Sequence, residues 1–226
     1  MTYEFDWSSI PGAMPFLLKG MGVTLLLLVL AVAAGMVWGT LLALARLSGV
    51  AGLSAAAATY VNLFRSVPLI LVIFWFYFLA PFMLKAITGN PGAAIGPFYS
   101  ALIAFTLFEA AYYCEIIRAG IQSVPRGQVS AAYALGMTYS QAMRLVILPQ
   151  AFRNMLPLLL TQSIILFQDT SLVYVISLSD FLGAASKVGQ RDGRLVEMYL
   201  FAAAVYFVLC FGASRLVGHL HKGTSD

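Results

Sequence analysis

Residues 20–45 read GMGVTLLLLVLAVAAGMVWGTLLALA, a stretch without a single charge. Its eight Leu and four Val contribute roughly −4 to −7 kcal/mol on an insertion scale, which drives the segment into lipid as a helix. The whole chain has the same character. Of 226 residues, 61% are apolar and 10% charged, with a mean hydropathy of +0.89, where soluble domains carry about 45–50% and about 25%. At about 20 residues per crossing, five or six spans fill the chain, and an attached soluble catalytic domain is excluded.

Further spans follow from the same arithmetic. Residues 66–84 (SVPLILVIFWFYFLAPFML) form an aromatic-rich run that Pro68 opens, in a helix's first turn where its missing N–H is tolerated. The turn sequence TGNPG (88–92) precedes a third run over 98–117, which carries Glu109 and Glu115. A fourth covers 154–176 and a fifth 196–217. The expected fold is an all-α membrane protein of about five spans, with 1–226 forming one transmembrane domain. With the N-terminus outside, Arg46, Arg65, Arg118, Arg126, Arg144, Arg153, Arg215 and Lys222 face inward, against Lys19, Lys85, Lys187, Arg191 and Arg194 outside. That excess of basic residues favours N-out and C-in. The opening MTYEFDWSSIPGAMPFLLK carries acids where a signal peptide needs basic residues, so the first span is expected to stay in the mature protein.

The segment 118–153 is then the one sizeable inner connection, too polar to span. At helical spacing Val129, Ala132, Tyr133 and Gly136 share one face of a short amphipathic helix, with Pro125 and Gly127 before it and Gly136 closing it. Such a helix under the membrane suits docking onto another protein.

Charged groups at membrane depth are informative because each costs about 2.5–3.5 kcal/mol at a span centre. In the fourth span, Asp169 with Thr161, Gln162, Ser163, Gln168, Thr170 and Ser171 largely cancels the apolar drive, so that span cannot face lipid. Gln162, Gln168, Asp169 and Thr170 are the candidates for lining a translocation path, Gln162 and Asp169 falling on one face. Asp169 could instead bond the N–H groups of a helix broken at Thr170 and Ser171. Glu115 and Arg118, three apart, are expected to pair, while Glu109 needs a partner from elsewhere. Gly35 and Gly39 form a GxxxG that permits close helix approach.

Several chemistries find no support. The 13 basic residues are scattered singly against 9 acids, without the clusters nucleic-acid binding needs. Cys114 and Cys210 lie in apolar stretches and the histidines His219 and His221 sit at the C-terminal end, which offers no metal site and calls for no cofactor. No GxxxxGK[ST], HExxH or GxSxG occurs, so the chain carries no nucleotide cradle and no hydrolytic centre. Uphill transport would draw its energy from a partner or from an ion gradient.

Residues 130–149, SAAYALGMTYSQAMRLVILP, resemble the EAA motif of membrane subunits of binding-protein-dependent ABC importers, EAAxxxG, nine residues, then IxLP. Ala131, Ala132, Gly136, Leu148 and Pro149 match, while Ser130 replaces the Glu and Val146 the Ile. FRSVPLILVIFWFY (64–77), YYCEIIRAGIQSVPRGQ (112–128) and FQDTSLVYVISLSDF (167–181) are similar to the polar amino-acid permeases. With YEFDWSSI (3–10) and RDGRLVEM (191–198), nearly the full chain resembles the permease subunits of glutamate/aspartate importers. The resemblance implies a type I importer fold in a bacterial inner membrane, with two permease subunits around a path and a dimer of ATP-binding subunits. The segment 130–149 would be the coupling helix docked in the ATPase, with Ser130 leaving open any ion pair that the motif's Glu makes. A periplasmic binding protein would deliver a polar amino acid to the outer loops, where Lys187, Arg191 and Arg194 with Asp180, Asp192 and Glu197 are candidates for the docking surface. A self-contained gradient-driven carrier explains the composition and Asp169 but leaves the pattern at 130–149 without a reason. An intramembrane enzyme lacks a nucleophile and base.

Overall fold

The computed structural model describes residues 4–90, 92 and 94–222; Tyr3 of the opening stretch and Pro91 of the turn TGNPG lie outside them. Among the described residues the architecture is helical: α1 (Ser9–Leu47), α2 (Ala51–Arg65), α3 (Leu69–Thr88), α4 (Pro97–Gln122), α5 (Arg126–Ala134), α6 (Tyr139–Ile176), α7 (Phe181–Asp192) and α8 (Leu195–Lys222). The five spans expected from composition correspond to α1, α3, α4, α6 and α8, each long and apolar enough to cross a membrane. In α4, 61% of the most apolar stretch is buried, against 11–33% in the others, so α4 is the core helix and the others keep faces for lipid or for partners.

The helix ends depart from the expected spans wherever a charge was read as a boundary. α1 begins at Ser9 rather than 20 because Lys19 is a good helix former, and Ala13 and Leu17 on either side of Pro15 are buried. α4 runs to Gln122, carrying its charges on paired side chains. α6 starts at Tyr139, so the connection expected over 118–153 shrinks to residues 123–138. Two helices were not anticipated. The Ala-rich stretch 51–65 is too short to span yet forms α2, seated on Ala57 and Val61. The charged stretch after Asp180 forms α7, which buries Phe181, Ala184, Ala185 and Val188 at helical spacing.

The described chain divides into two compact units. The first comprises residues up to 32, 68–105 and 164–214. In it Ala13 and Leu17 of α1 pack with Phe181, Ala184, Ala185 and Val188 of α7 and with Met198 and Ala202 of α8. The second comprises 33–67, 106–163 and 215 onward. Its core joins Leu42 and Ala43 of α1, Ala57 and Val61 of α2, and Ala110, Tyr113, Cys114 and Ile117 of α4 to Leu159 of α6. Here the GxxxG acts as packing: a Cβ on Gly39 would lie 2.7 Å from Tyr113 Cβ and 2.9 Å from the Ala110 carbonyl oxygen. Only a bare backbone permits that contact between α1 and α4. Gly39→Val should therefore cost about 1–3 kcal/mol and lower the melting temperature in detergent. Gly12→Ala, where a Cβ meets nothing within 4 Å, should leave it undiminished.

Candidate functional site

Three groups of residues carry polar chemistry on this apolar scaffold, and the first is the corner between α4 and α6. Pro125 opens α5, and Gly136, at φ 78°, ends it in the left-handed conformation a glycine adopts without strain. The Met137 N–H donates to the Ala132 carbonyl at 3.1 Å and the Gly136 N–H to Tyr133 at 2.9 Å, so the helix end is closed by a Schellman arrangement. The next turn is fixed at once: the Thr138 N–H donates to Gln141 Oε1 at 2.8 Å and the Gln141 N–H to Thr138 Oγ1 at 3.4 Å, a capping box that starts α6. Four residues on, α6 widens into a π-type turn over Met143–Ile147 before Pro149.

The inward face of this corner differs from the expected one. Val129 packs on a small core of Val124, Ile147 and Ala151, and Ala132 is buried, whereas Tyr133 and Gly136 point outward. Ser130 and Ala131 are exposed. So are Leu135 at 78%, Tyr139 at 66% and Leu145 at 67%, with Leu148 more weakly. Large apolar side chains presented from a doubly capped corner form a surface that asks for a protein partner. Leu135, Tyr139 and Leu145 escape the sequence reading, because Leu135 lies past the end of α5 and Tyr139 and Leu145 on α6, where no helical spacing from Val129 or Ala132 reaches them.

The second group lies within the unit that contains 106–163. Glu109 is fully buried on α4, and the Gln162 amide of α6 donates to both of its carboxyl oxygens, at 3.2 and 3.1 Å. One turn along, the Tyr113 and Ser163 hydroxyls meet at 3.4 Å. Gln162 thus supplies the partner that Glu109 requires, and its amide is spent on α4. Further along α4, Arg118 Nη2 donates to Glu115 Oε2 at 2.7 Å while Arg46 of α1 donates to the other oxygen. Arg65, at the end of α2, stacks over the Tyr112 ring at 5.5 Å. The arrangement joins α1, α2, α4 and α6 by polar contacts where water is scarce.

The third group lies at the end of α6, in the other unit. Thr170 is buried and its hydroxyl donates to the Phe167 carbonyl at 2.6 Å, so it is occupied by its own helix. The α-helix gives way to a 3-10 stretch at Thr170, but Asp169 caps no N–H there, contrary to the alternative role considered for it. Asp169 is half-buried, and Gln168 is exposed in a groove of about 520 Å³ shared with Ser171, Tyr206 and Ser214. Of the four path candidates, Gln168, Asp169 and Thr170 thus belong to this unit, with Gln162 in the other. Among the candidates for an outer docking surface, Asp180 and Glu197 are buried, while Lys187 and Arg191 are exposed. Asp180 accepts from the Gly183 N–H at 2.9 Å and the Leu182 N–H at 3.2 Å, capping α7, and the Phe181 N–H donates to Thr24 at 3.0 Å. Burial pushes the Asp180 carboxyl up to about 6 despite these bonds.

Residues 35–226 match the family described as binding-protein-dependent transport system inner membrane component. The chain belongs to this family. It is 57% identical over 223 residues to the glutamate/aspartate import permease protein GltK of Escherichia coli O6:H1, covering 99% of this chain and all of that one. It is 35% identical to the arginine transport system permease protein ArtQ of Bacillus subtilis, over 91% of each chain. The fold superposes on the crystal structure of an amino acid ABC transporter with histidines, with a TM-score of 0.88 and 33% identity over 97% of this chain and 99% of that one. The protein is a multi-pass permease of the inner membrane, and ATP hydrolysis belongs to a separate subunit. Membership removes the self-contained gradient-driven carrier from consideration.

Two measurements test this geometry. The permease variant Gln162→Leu strips both amide bonds from Glu109 and should cost about 1–3 kcal/mol, read as a lowered melting temperature. For Asp180, whose folded value lies above the ordinary carboxylate range, stability is gained as pH falls through about 6 and fully present below about 4. Melts at pH 7.5 and 5 should show that gain, and Asp180→Asn, which keeps a capping oxygen, should remove its part of the slope.

Proposed function

We propose that this permease, acting through residues 1–226 as one domain, moves acidic L-amino acids, glutamate and aspartate, inward across the membrane. The observation that carries the reading is the 57% identity to GltK over the whole length of both chains. The basic residues favour an outer N-terminus and an inner C-terminus, which puts the α4–α6 corner in the cytoplasm. A second permease subunit, in a heterodimer, would complete the path, and a dimer of ATP-binding subunits would drive it. A periplasmic binding protein would deliver the amino acid.

The corner is the coupling element. Ser130, Ala131 and Gly136 give it a low profile, Leu135, Tyr139 and Leu145 the apolar anchors that seat it in a groove of the ATPase. Ala132 holds it from beneath, and Leu148 with Pro149 joins it to α6. Closure of the ATPase dimer on ATP then moves the corner as a rigid body, and the Glu109–Gln162 and Tyr113–Ser163 contacts carry α4 and α6 together. Of the four path candidates, Gln168 and Asp169 meet the substrate, the Asp169 carboxylate accepting from the amino acid's ammonium group. Gln162 and Thr170 shape the helix that presents them.

Affinity purification of the tagged permease from its host's membranes in mild detergent should recover an ATPase and a second permease. Leu135→Asp, which alters an exposed side chain, should reduce ATPase recovery at least tenfold. Proteoliposomes of the recovered complex should take up glutamate with binding protein and internal ATP, with aspartate competing and a protonophore without effect. Asp169→Asn should lower uptake or change the preference between the two acids. Recovery of the chain alone under several detergents would sink the reading.

A further inference from the structure

The outer end of the first unit carries a feature that the coupling and path residues do not use. Residues 4–8 lie as a strap across the start of α8. Arg194 donates to the Glu4 carbonyl at 2.7 Å and pairs with the Asp6 carboxylate at 3.6 Å. The Asp6 N–H donates to Glu197 Oε1 at 3.1 Å, and Glu197, 1% exposed, lies beside Arg194 at 3.5 Å. A buried carboxylate and an arginine are thus committed to holding five residues of chain. What the strap presents is apolar: Phe5 is 58% and Trp7 46% exposed, their rings stacked at 6.2 Å and 14°.

Such an aromatic pair ordinarily sits at the lipid interface, but the length of α1 argues otherwise. From Lys19 to Arg46 the helix already rises about 40 Å at about 1.5 Å per residue, beyond a hydrocarbon core of about 30 Å even at an ordinary tilt of about 20°. Ser9 lies about 15 Å further out again. α7 runs beside this outer part of α1, on Ala13 and Leu17, and turns Lys187, Gln190 and Arg191 to its exposed side, as a helix in water does. Trp7 therefore stands clear of the lipid, preorganised by its latch and wanting a dry partner.

We infer that the Phe5–Trp7 strap is an anchor for the soluble binding protein on which transport by this family depends. The inference rests on the outward N-terminus and the importer reading given above. An aromatic pair held rigid by the Arg194–Glu197 latch fits an apolar depression on that partner. The exposed Glu4 and Arg191, with the half-buried Asp6, would form a polar rim around it.

The test uses the whole importer in nanodiscs and a purified soluble binding protein that stimulates ATP hydrolysis by the wild type. The double variant Phe5→Ala/Trp7→Ala should raise the half-stimulating concentration of binding protein at least tenfold, and Trp7→Phe alone should keep it within about threefold. An unchanged half-stimulating concentration overturns the inference. So does quenching of the Trp7 fluorescence, taken as wild type minus Trp7→Phe, by brominated lipids, which would assign the pair to the membrane. Labelling Trp7→Cys with an impermeant maleimide on intact spheroplasts separates the underlying reading: labelling only after lysis means the orientation has failed. Absence of stimulation of the wild type by the binding protein would overturn the importer reading and the anchor with it.

Discussion

A carboxyl group inside a bundle of membrane helices must find its partners among those helices, and Glu109 sets that demand at the centre of the second unit. Both of its oxygens are bonded by Gln162 of α6, while the Cβ that Gly35 lacks would lie 3.2 Å from Glu109 Cβ. Gly39 brings α1 against the next turn of α4, where Tyr113 reaches Ser163. Bulk is removed on one side of α4 and polar contacts are made on the other, so the two effects reinforce one another. Small residues supply contact area where the hydrophobic effect does not hold helices together, and the polar pairs choose the register. The Glu115 carboxylate continues the pattern with Arg46 and Arg118, one oxygen for each.

That register matters because the α4–α6 corner is continuous with it. A surface that transmits force needs its apolar anchors on an element that does not fray, and α5 is only nine residues long. Left alone, such a helix would be unstable. Its end is closed at Gly136, the start of α6 is boxed by Thr138 and Gln141, and its inner face rests on Val124, Ile147 and Ala151. Exposed Leu135 and Tyr139 then stand on a supported corner, and in the coupling role proposed above displacement there would pass to α6 rather than be lost in bending.

How much of this was legible follows from how local each signal is. The five spans depend on composition over about 20 residues and are plain in the sequence. The Glu115–Arg118 pairing follows from helical spacing alone, but Arg46 lies 69 residues away from Glu115 and no spacing announces it. No basic residue stands at helical spacing from Glu109; that Gln162 bonds it depends on the packing of α4 on α6, which no spacing in the sequence announces. The wheel that groups Val129, Ala132 and Tyr133 holds over α5, while Gly136 falls past its end in the left-handed conformation. Which part of it turns inward is decided by side chains on α4 and α6. In α7 the apolar positions 181, 184, 185 and 188 are present throughout, masked by the exposed Lys187, Gln190 and Arg191 and by Asp192 in the last turn.

The α4–α6 corner and the N-terminal strap solve one problem by similar means. A short segment outside the spans gains little from burial, and disorder would win by the entropy of several free residues. At the corner the answer is capping and a small apolar core; at the N-terminus it is a buried Glu197, an Arg194 bridging Asp6 and a backbone carbonyl, and α7 clamped by Asp180 and Thr24. Both places hold segments that keep large apolar side chains in the open. Exposed apolar groups weaken a structure that has no use for them, and well-held ones are harder to hide. Under the function proposed above, two such segments serve a permease whose ATP hydrolysis belongs to a separate subunit, one for the partner that would bring the cargo and one for the partner that would do the work.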